Sequence, residues 1–213
     1  MTPLPKYGLY AITDENLTPE HSVLEQVQQA IRGGAVIIQY RKKTGTLAEK
    51  IKQASAIQIA CRHHNVPLII NDSVALAKEI GADGVHLGSD DESIATARHH
   101  LGDHAIIGAS CYNDYQRAVE AKRQGASYIA FGRFFPSATK PDALQAEISL
   151  LEMAKQTLDM PLVAIGGITP ENGPLLVEAG ANFLAVVAGV FASDDPEHAA
   201  RRYAQIYQKK LNI

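Results

Sequence analysis

Eight short runs rich in Val, Ile and Ala recur along the chain, at 8–12, 35–39, 67–70, 84–87, 105–109, 128–131, 161–165 and 183–187. Most are continuously hydrophobic instead of alternating, which is the pattern of strands buried on both faces by flanking helices. The segments between them carry apolar residues at helical spacing. In 22–32 these are Val23, Leu24, Val27 and Ile31, and in 51–63 they are Ile51, Ala54, Ile57 and Cys61. The second, fourth, sixth and eighth runs are each preceded by Gly-Ala, at Gly34, Gly81, Gly125 and Gly180. Glycine just past a helix end is the usual left-handed cap. The third and seventh runs open instead on Pro67 and Pro161, where a missing strand donor is tolerated.

Eight strand–helix units with no Ser/Gly-rich linker predict one closed (β/α)8 TIM barrel, a single compact α/β domain over residues 1–213, with a doubly wound open sheet as the alternative. Hydrophobic residues at 46% and charged residues at 20% suit a soluble globular chain of this kind. A net charge of -3 gives no general attraction for nucleic acid or an anionic membrane, so any anion site must be local. Two cysteines, Cys61 and Cys111, make no disulfide framework and suit a reducing compartment. With no signal-peptide or membrane-spanning run, a cytoplasmic location is expected. Homo-oligomerisation is left open.

In either architecture, ligands bind beyond the carboxyl ends of the strands. After the second run the chain reads Gln39-Tyr40-Arg41-Lys42-Lys43, an apolar strand ending in cations. Alternation points Gln39, Arg41 and Lys43 one way, toward an anion, and Tyr40 and Lys42 the other. Asp72 ends the third strand and Asp91 follows the fourth. Carboxylates held that close repel unless one is protonated or a cation lies between them. Mg²⁺ suits the pair, because it takes a few carboxylate oxygens, keeps waters and completes its shell with substrate phosphate. The competing reading is that each Asp caps the helix that follows it. The adjacent histidine pairs, His63-His64 and His99-His100, belong to the surface, and His86 reads as a packed or hydrogen-bonded core histidine. No nucleophile-elbow pattern surrounds Ser110.

Farther along, Ile165-Gly166-Gly167-Ile168 precedes a helix whose start is marked by Thr169 as cap and Pro170 at the first position. Val187-Ala188-Gly189 follows the eighth strand. Barrels often hold phosphate on backbone N–H groups of these two loops. The loop after strand six carries Ser137, Ala138, Thr139 and Lys140, hydroxyls and a cation between the two anion sites. Two phosphate-type sites on one mouth suit a reaction that joins two phosphorylated molecules, one of them losing a diphosphate.

These residues resemble the thiamine phosphate synthase family from the first strand to the last. The Gln-x-Arg-x-Lys pattern stands as Gln39, Arg41 and Lys43, followed by Asn71-Asp72, by Gly88 to Asp91 after His-Leu, by Ser110, by Thr139-Lys140 and by Ile165 to Ile168. The resemblance implies a (β/α)8 enzyme that condenses a hydroxymethylpyrimidine diphosphate with a thiazole phosphate. It places the pyrimidine diphosphate on the run 39–43 (Gln39, Tyr40, Arg41, Lys42, Lys43), Asn71, Ser110 and Lys140, with Arg41, Lys43, Ser110 and Lys140 acting on the leaving group. Asp72 and Asp91 would hold Mg²⁺. Ser137, Ala138, Thr139, Gly167, Val187 and Ala188 would hold the thiazole phosphate. The chain departs from the family habit at Gly132-Arg133 (commonly Gly-Pro), Ser137 (Thr), Ser89 (Gln) and Ala188 (Ser).

Overall fold

The eight apolar runs pair in parallel and in chain order, and the last closes on the first. In the computed structural model, which describes residues 1–136 and 144–211, the strands are β1 (Gly8–Ile12), β2 (Ala35–Tyr40), β3 (Leu68–Asn71), β4 (Gly84–Leu87), β5 (Ile106–Tyr112), β6 (Tyr128–Gly132), β7 (Leu162–Ile165) and β8 (Phe183–Val186). The helices are α1 (Val23–Arg32), α2 (Leu47–His63), α3 (Val74–Ile80), α4 (Ile94–Leu101), α5 (Tyr115–Arg123), α6 (Ile148–Thr157), α7 (Gly173–Ala179), α8 (Ala188–Phe191) and α9 (Pro196–Leu211). The closed barrel is thus the architecture, and the open sheet is excluded. Among the described residues no helix is long and apolar enough to cross a membrane.

Continuous apolarity of the strands has a direct structural cause. One face of each strand meets the helical layer, and the other points into the barrel, where Tyr10, Ile37, Ile69, Tyr128, Val163 and Phe183 form a second, inner cluster. The core therefore fills the barrel and leaves the mouth as the place for chemistry. Glycines 34, 81, 125 and 180 all have positive φ, as their position before alternate strands requires.

Two helix starts differ from the sequence pattern. Helix α2 begins at Leu47, four residues before the apolar spacing becomes visible, because Thr46 and Glu49 close a capping box around its first turn. Helix α7 begins at Gly173 and not at Pro170. Thr169 to Asn172 form a separate turn, in which the Asn172 side chain accepts from the Thr169 N–H at 2.8 Å and donates to the Gly167 carbonyl at 3.0 Å.

Candidate active site

Strand β2 stops at Tyr40, and the three cations that follow diverge as alternation requires. Gln39 is 2% exposed and lies inside the barrel, where its Nε2 donates to the Tyr10 hydroxyl at 2.7 Å. Arg41 pairs with Asp14 at 3.2 Å, and its N–H donates to Thr13 Oγ1 at 2.8 Å. Lys43 reaches across to the Asp72 carboxylate. The side chains of Tyr40 and Lys42 turn to the helical layer instead, where the Tyr40 hydroxyl and Lys42 Nζ both meet Gln53 Oε1 of α2, at 2.8 and 3.4 Å. The side chains of Gln39, Arg41 and Lys43 thus lie on the barrel side, and those of Tyr40 and Lys42 on the side of α2.

Neither aspartate is a helix cap. Ser73 caps α3 by accepting from the Leu76 N–H, and Ser93 caps α4 by accepting from the Thr96 N–H. Asp72 is held with φ +63, a left-handed conformation uncommon for a residue with a side chain. One oxygen of Asp91 accepts from the Gly88 N–H at 2.7 Å. Partial burial pushes the Asp91 carboxyl above the ordinary carboxylate range, and the neighbouring Asp72 adds to the rise. Two neighbouring carboxylates that raise the energy of each other's charge, with one lysine on Asp72, form a site suited to further positive charge. Among the described residues, no group of three or more His, Cys, Asp or Glu side chains could enclose a metal. The donor set is therefore an open one: two carboxylates to which water and ligand oxygens would be added. That fits Mg²⁺ better than a metal needing an all-protein cage.

Ser110, in β5, accepts or donates at 2.8 Å to His86 Nε2, while His86 Nδ1 faces the Tyr128 hydroxyl at 3.0 Å. The third partner is a buried phenol and not a carboxylate, so these residues do not form a Ser-His-Asp triad. Cys111 beside them is fully buried, and burial pushes its thiol to about 12, well away from a reactive thiolate. Asn71 ends β3 between these groups and Asp72.

On the far side of the mouth, Gly166 and Gly167 leave β7 with φ +103 and +63. A Cβ on Gly167 would fall on the carbonyl oxygens of Phe135 and Pro136, and one on Gly166 would fall on Arg133. The crossing of the sixth and seventh loops thus requires both glycines, apart from any ligand. Val187 precedes the four-residue helix α8, whose first N–H groups have no partner within the helix. The Gly132-Arg133 peptide is cis. Ser137, Ala138, Thr139 and Lys140 lie outside the described residues.

Sequence patterns leave Asp14, Tyr10 and Tyr128 without a role, although Asp14 pairs with Arg41, Tyr10 with Gln39, and Tyr128 joins Tyr10 to His86. Asp14 stands two residues past the end of β1, at the rim where ligands bind, and that position is its visible signal. The tyrosines sit inside apolar strands and give none.

Fold and site together define a (β/α)8 enzyme whose mouth is charged along one side and lined by glycine-bearing turns along the other. Comparison narrows the class: the matching family is described as thiamine monophosphate synthase, over residues 9–190. Thiamine-phosphate synthase of Nitrosococcus oceani is 52% identical over 93% of this chain and 91% of its own length. That of Methylococcus capsulatus is 46% identical over 96% and 91%. The solved structure of thiamine phosphate pyrophosphorylase from Pyrococcus furiosus superposes with a TM-score of 0.88 at 32% identity, covering 97% of this chain and 98% of that one. The chain belongs to the thiamine monophosphate synthase family and is an enzyme of thiamine biosynthesis.

Proposed function

We propose that the protein condenses a hydroxymethylpyrimidine diphosphate with a thiazole phosphate, giving thiamine phosphate and pyrophosphate. The observation that carries this reading is the Asp72 and Asp91 pair, released from helix capping, with Lys43 on Asp72. Such a pair suits a Mg²⁺ ion shared with a diphosphate, which would neutralise charge on the departing pyrophosphate. Lys43 and Arg41 add cations to the same leaving group, and Ser110 and Asn71 add hydrogen-bonding groups beside it. Departure breaks the bond between the pyrimidine methylene carbon and the diphosphate oxygen, which keeps the electron pair. The resulting methylene cation is stabilised by resonance with the ring and its substituents. The thiazole nitrogen then supplies the pair for the new carbon–nitrogen bond.

Charge stabilisation and positioning suffice for such a step, and no side-chain nucleophile is required. This agrees with His86 having a phenol partner and Cys111 being an inert thiol. Backbone N–H groups at Gly167, Val187 and Ala188 are assigned to the thiazole phosphate, together with Ser137, Ala138 and Thr139. Lys140 is assigned to the diphosphate. Both substrates are small molecules, and we place the enzyme in the cytoplasm.

Purified protein incubated with both substrates and Mg²⁺ is expected to release thiamine phosphate and pyrophosphate in equal amounts, and chelation of the metal should stop it. Conversion of the thiazole phosphate alone, with no joined product, would overturn the reading.

A further inference from the structure

A row of hydrogen-bonded side chains from five strands crosses the floor of the mouth. Gln39 Nε2 donates to the Tyr10 hydroxyl at 2.7 Å, which meets the Tyr128 hydroxyl at 2.7 Å. The row then passes to His86 Nδ1 at 3.0 Å and from His86 Nε2 to Ser110 Oγ at 2.8 Å. It joins two residues assigned to the diphosphate substrate, Gln39 and Ser110, through three that are not.

The row is built into the barrel. Tyr10 and Tyr128 are 1% and 0% exposed, with their rings edge to face. His86 stacks on Tyr128 with an interplanar angle of 14°. A Cβ on Gly108 would fall on the Tyr128 ring, so glycine at that place in β5 makes the room the phenol occupies. Burial raises both phenol pKa values above the ordinary range, which keeps each hydroxyl protonated.

Each phenol has a single proton to give, so the row has a direction. With Gln39 Nε2 donating to Tyr10, pairing each buried hydroxyl proton within the row requires Tyr10 to donate to Tyr128 and Tyr128 to His86 Nδ1. The His86 proton then sits on Nε2 and is given to Ser110 Oγ. The Ser110 O–H is thereby left for a ligand, and at the other end the Gln39 Oε1 is left as an acceptor. In the opposite direction the Ser110 proton would be spent on His86, and Gln39 would offer only N–H groups. An anion beside Ser110 requires a donor there, which selects the first direction; this step rests on the function proposed above.

We infer that Tyr10 and Tyr128 are positioning residues for the diphosphate substrate: their one-way row of hydrogen bonds presents Ser110 as a donor to the anion and leaves Gln39 Oε1 as an acceptor toward the mouth. The row also ties the two ends of that subsite together across the barrel.

The test reads the His86 tautomer in the ligand-free, histidine-¹⁵N-labelled protein, with its signals assigned by their loss in His86→Gln. A neutral ring carrying its proton on Nε2 is expected. A proton on Nδ1, or on both nitrogens, would overturn the direction. In Tyr128→Phe the hydroxyl facing Nδ1 is removed, and the share of the ring carrying its proton on Nε2 should fall. The KM for the pyrimidine diphosphate should rise about tenfold, the scale of one buried hydrogen bond, while that for the thiazole phosphate stays unchanged. An unaltered tautomer with unaltered KM in this variant would remove the positioning role. Because the tautomer is read without substrate, its failure is distinguishable from a failure of the proposed reaction.

Discussion

Between β2 and β5 the mouth is lined by side chains that hold one another: Lys43 on Asp72, Arg41 on Asp14, and Ser110 on His86. Between β7 and β8 it is lined by backbone, at Gly166, Gly167 and Val187, shaped by what the loops can pass without collision. On the proposed function, the first side would recognise charge through residue type and the second through chain geometry. A single substitution should therefore remove function on the first side, whereas on the second it should mainly cost stability.

The largest contrast is expected within the basic run. Lys43→Ala should lower turnover at least about a hundredfold, the scale of losing one charge-stabilising contact in a transition state. Lys42→Ala, whose side chain lies toward Gln53, should stay within about twofold. Initial-rate measurements with both substrates check this, and equal losses would break the alternation on which the side-chain half rests.

On the backbone side, Gly167→Ala must place a Cβ onto the Phe135 and Pro136 carbonyls with φ at +63. It should cost about 1–3 kcal/mol of stability. Denaturant unfolding reads the loss, and an unchanged midpoint would mean that the loops cross differently. Removing a true cap is a useful reference. Ser73→Ala or Ser93→Ala should cost about 1 kcal/mol, with Mg²⁺ dependence of turnover unaltered. A changed metal dependence in either would join the caps to the site.

The carboxylate pair gives a smaller effect with a definite sign. Asp91 has a raised carboxyl pKa in the folded protein, from burial and from Asp72. A raised acid contributes stability below its unfolded pKa and loses it as pH rises through the folded value. Without metal, Asp91→Asn should therefore be more stable than the native chain at neutral pH, and the difference should vanish in acid. Thermal unfolding at several pH values measures it, and a variant less stable at neutral pH would contradict the repulsion. Smallest of all, Ala188→Ser adds a hydroxyl where the backbone N–H already stands, and the KM for thiazole phosphate should move less than about twofold.

The same division explains what could be seen in the sequence. All eight strands were visible because burial on both faces leaves a continuous apolar run, and Asp72, Asp91 and the basic run were visible because charge at the end of such a run is conspicuous. The start of α7 was hidden, since Thr169-Pro170 reads as a helix opening until the Asn172 side chain folds back to close a separate turn. Tyr10 and Tyr128, 118 residues apart, look like ordinary strand residues until closure of the barrel brings their hydroxyls together. That serines and not aspartates cap α3 and α4 was equally undecidable, because Asp72-Ser73 offers two side chains with the same capacity to cap.

The roles given to Asp72 and Asp91 come down to a Mg²⁺ titration of thiamine phosphate formation by the native protein and by Asp91→Asn, at saturating levels of both substrates. The half-activating Mg²⁺ concentration should rise at least about tenfold in the variant, as loss of one carboxylate ligand would require, with the KM for thiazole phosphate unchanged. Coincident titration curves would show that Asp91 does not hold the metal.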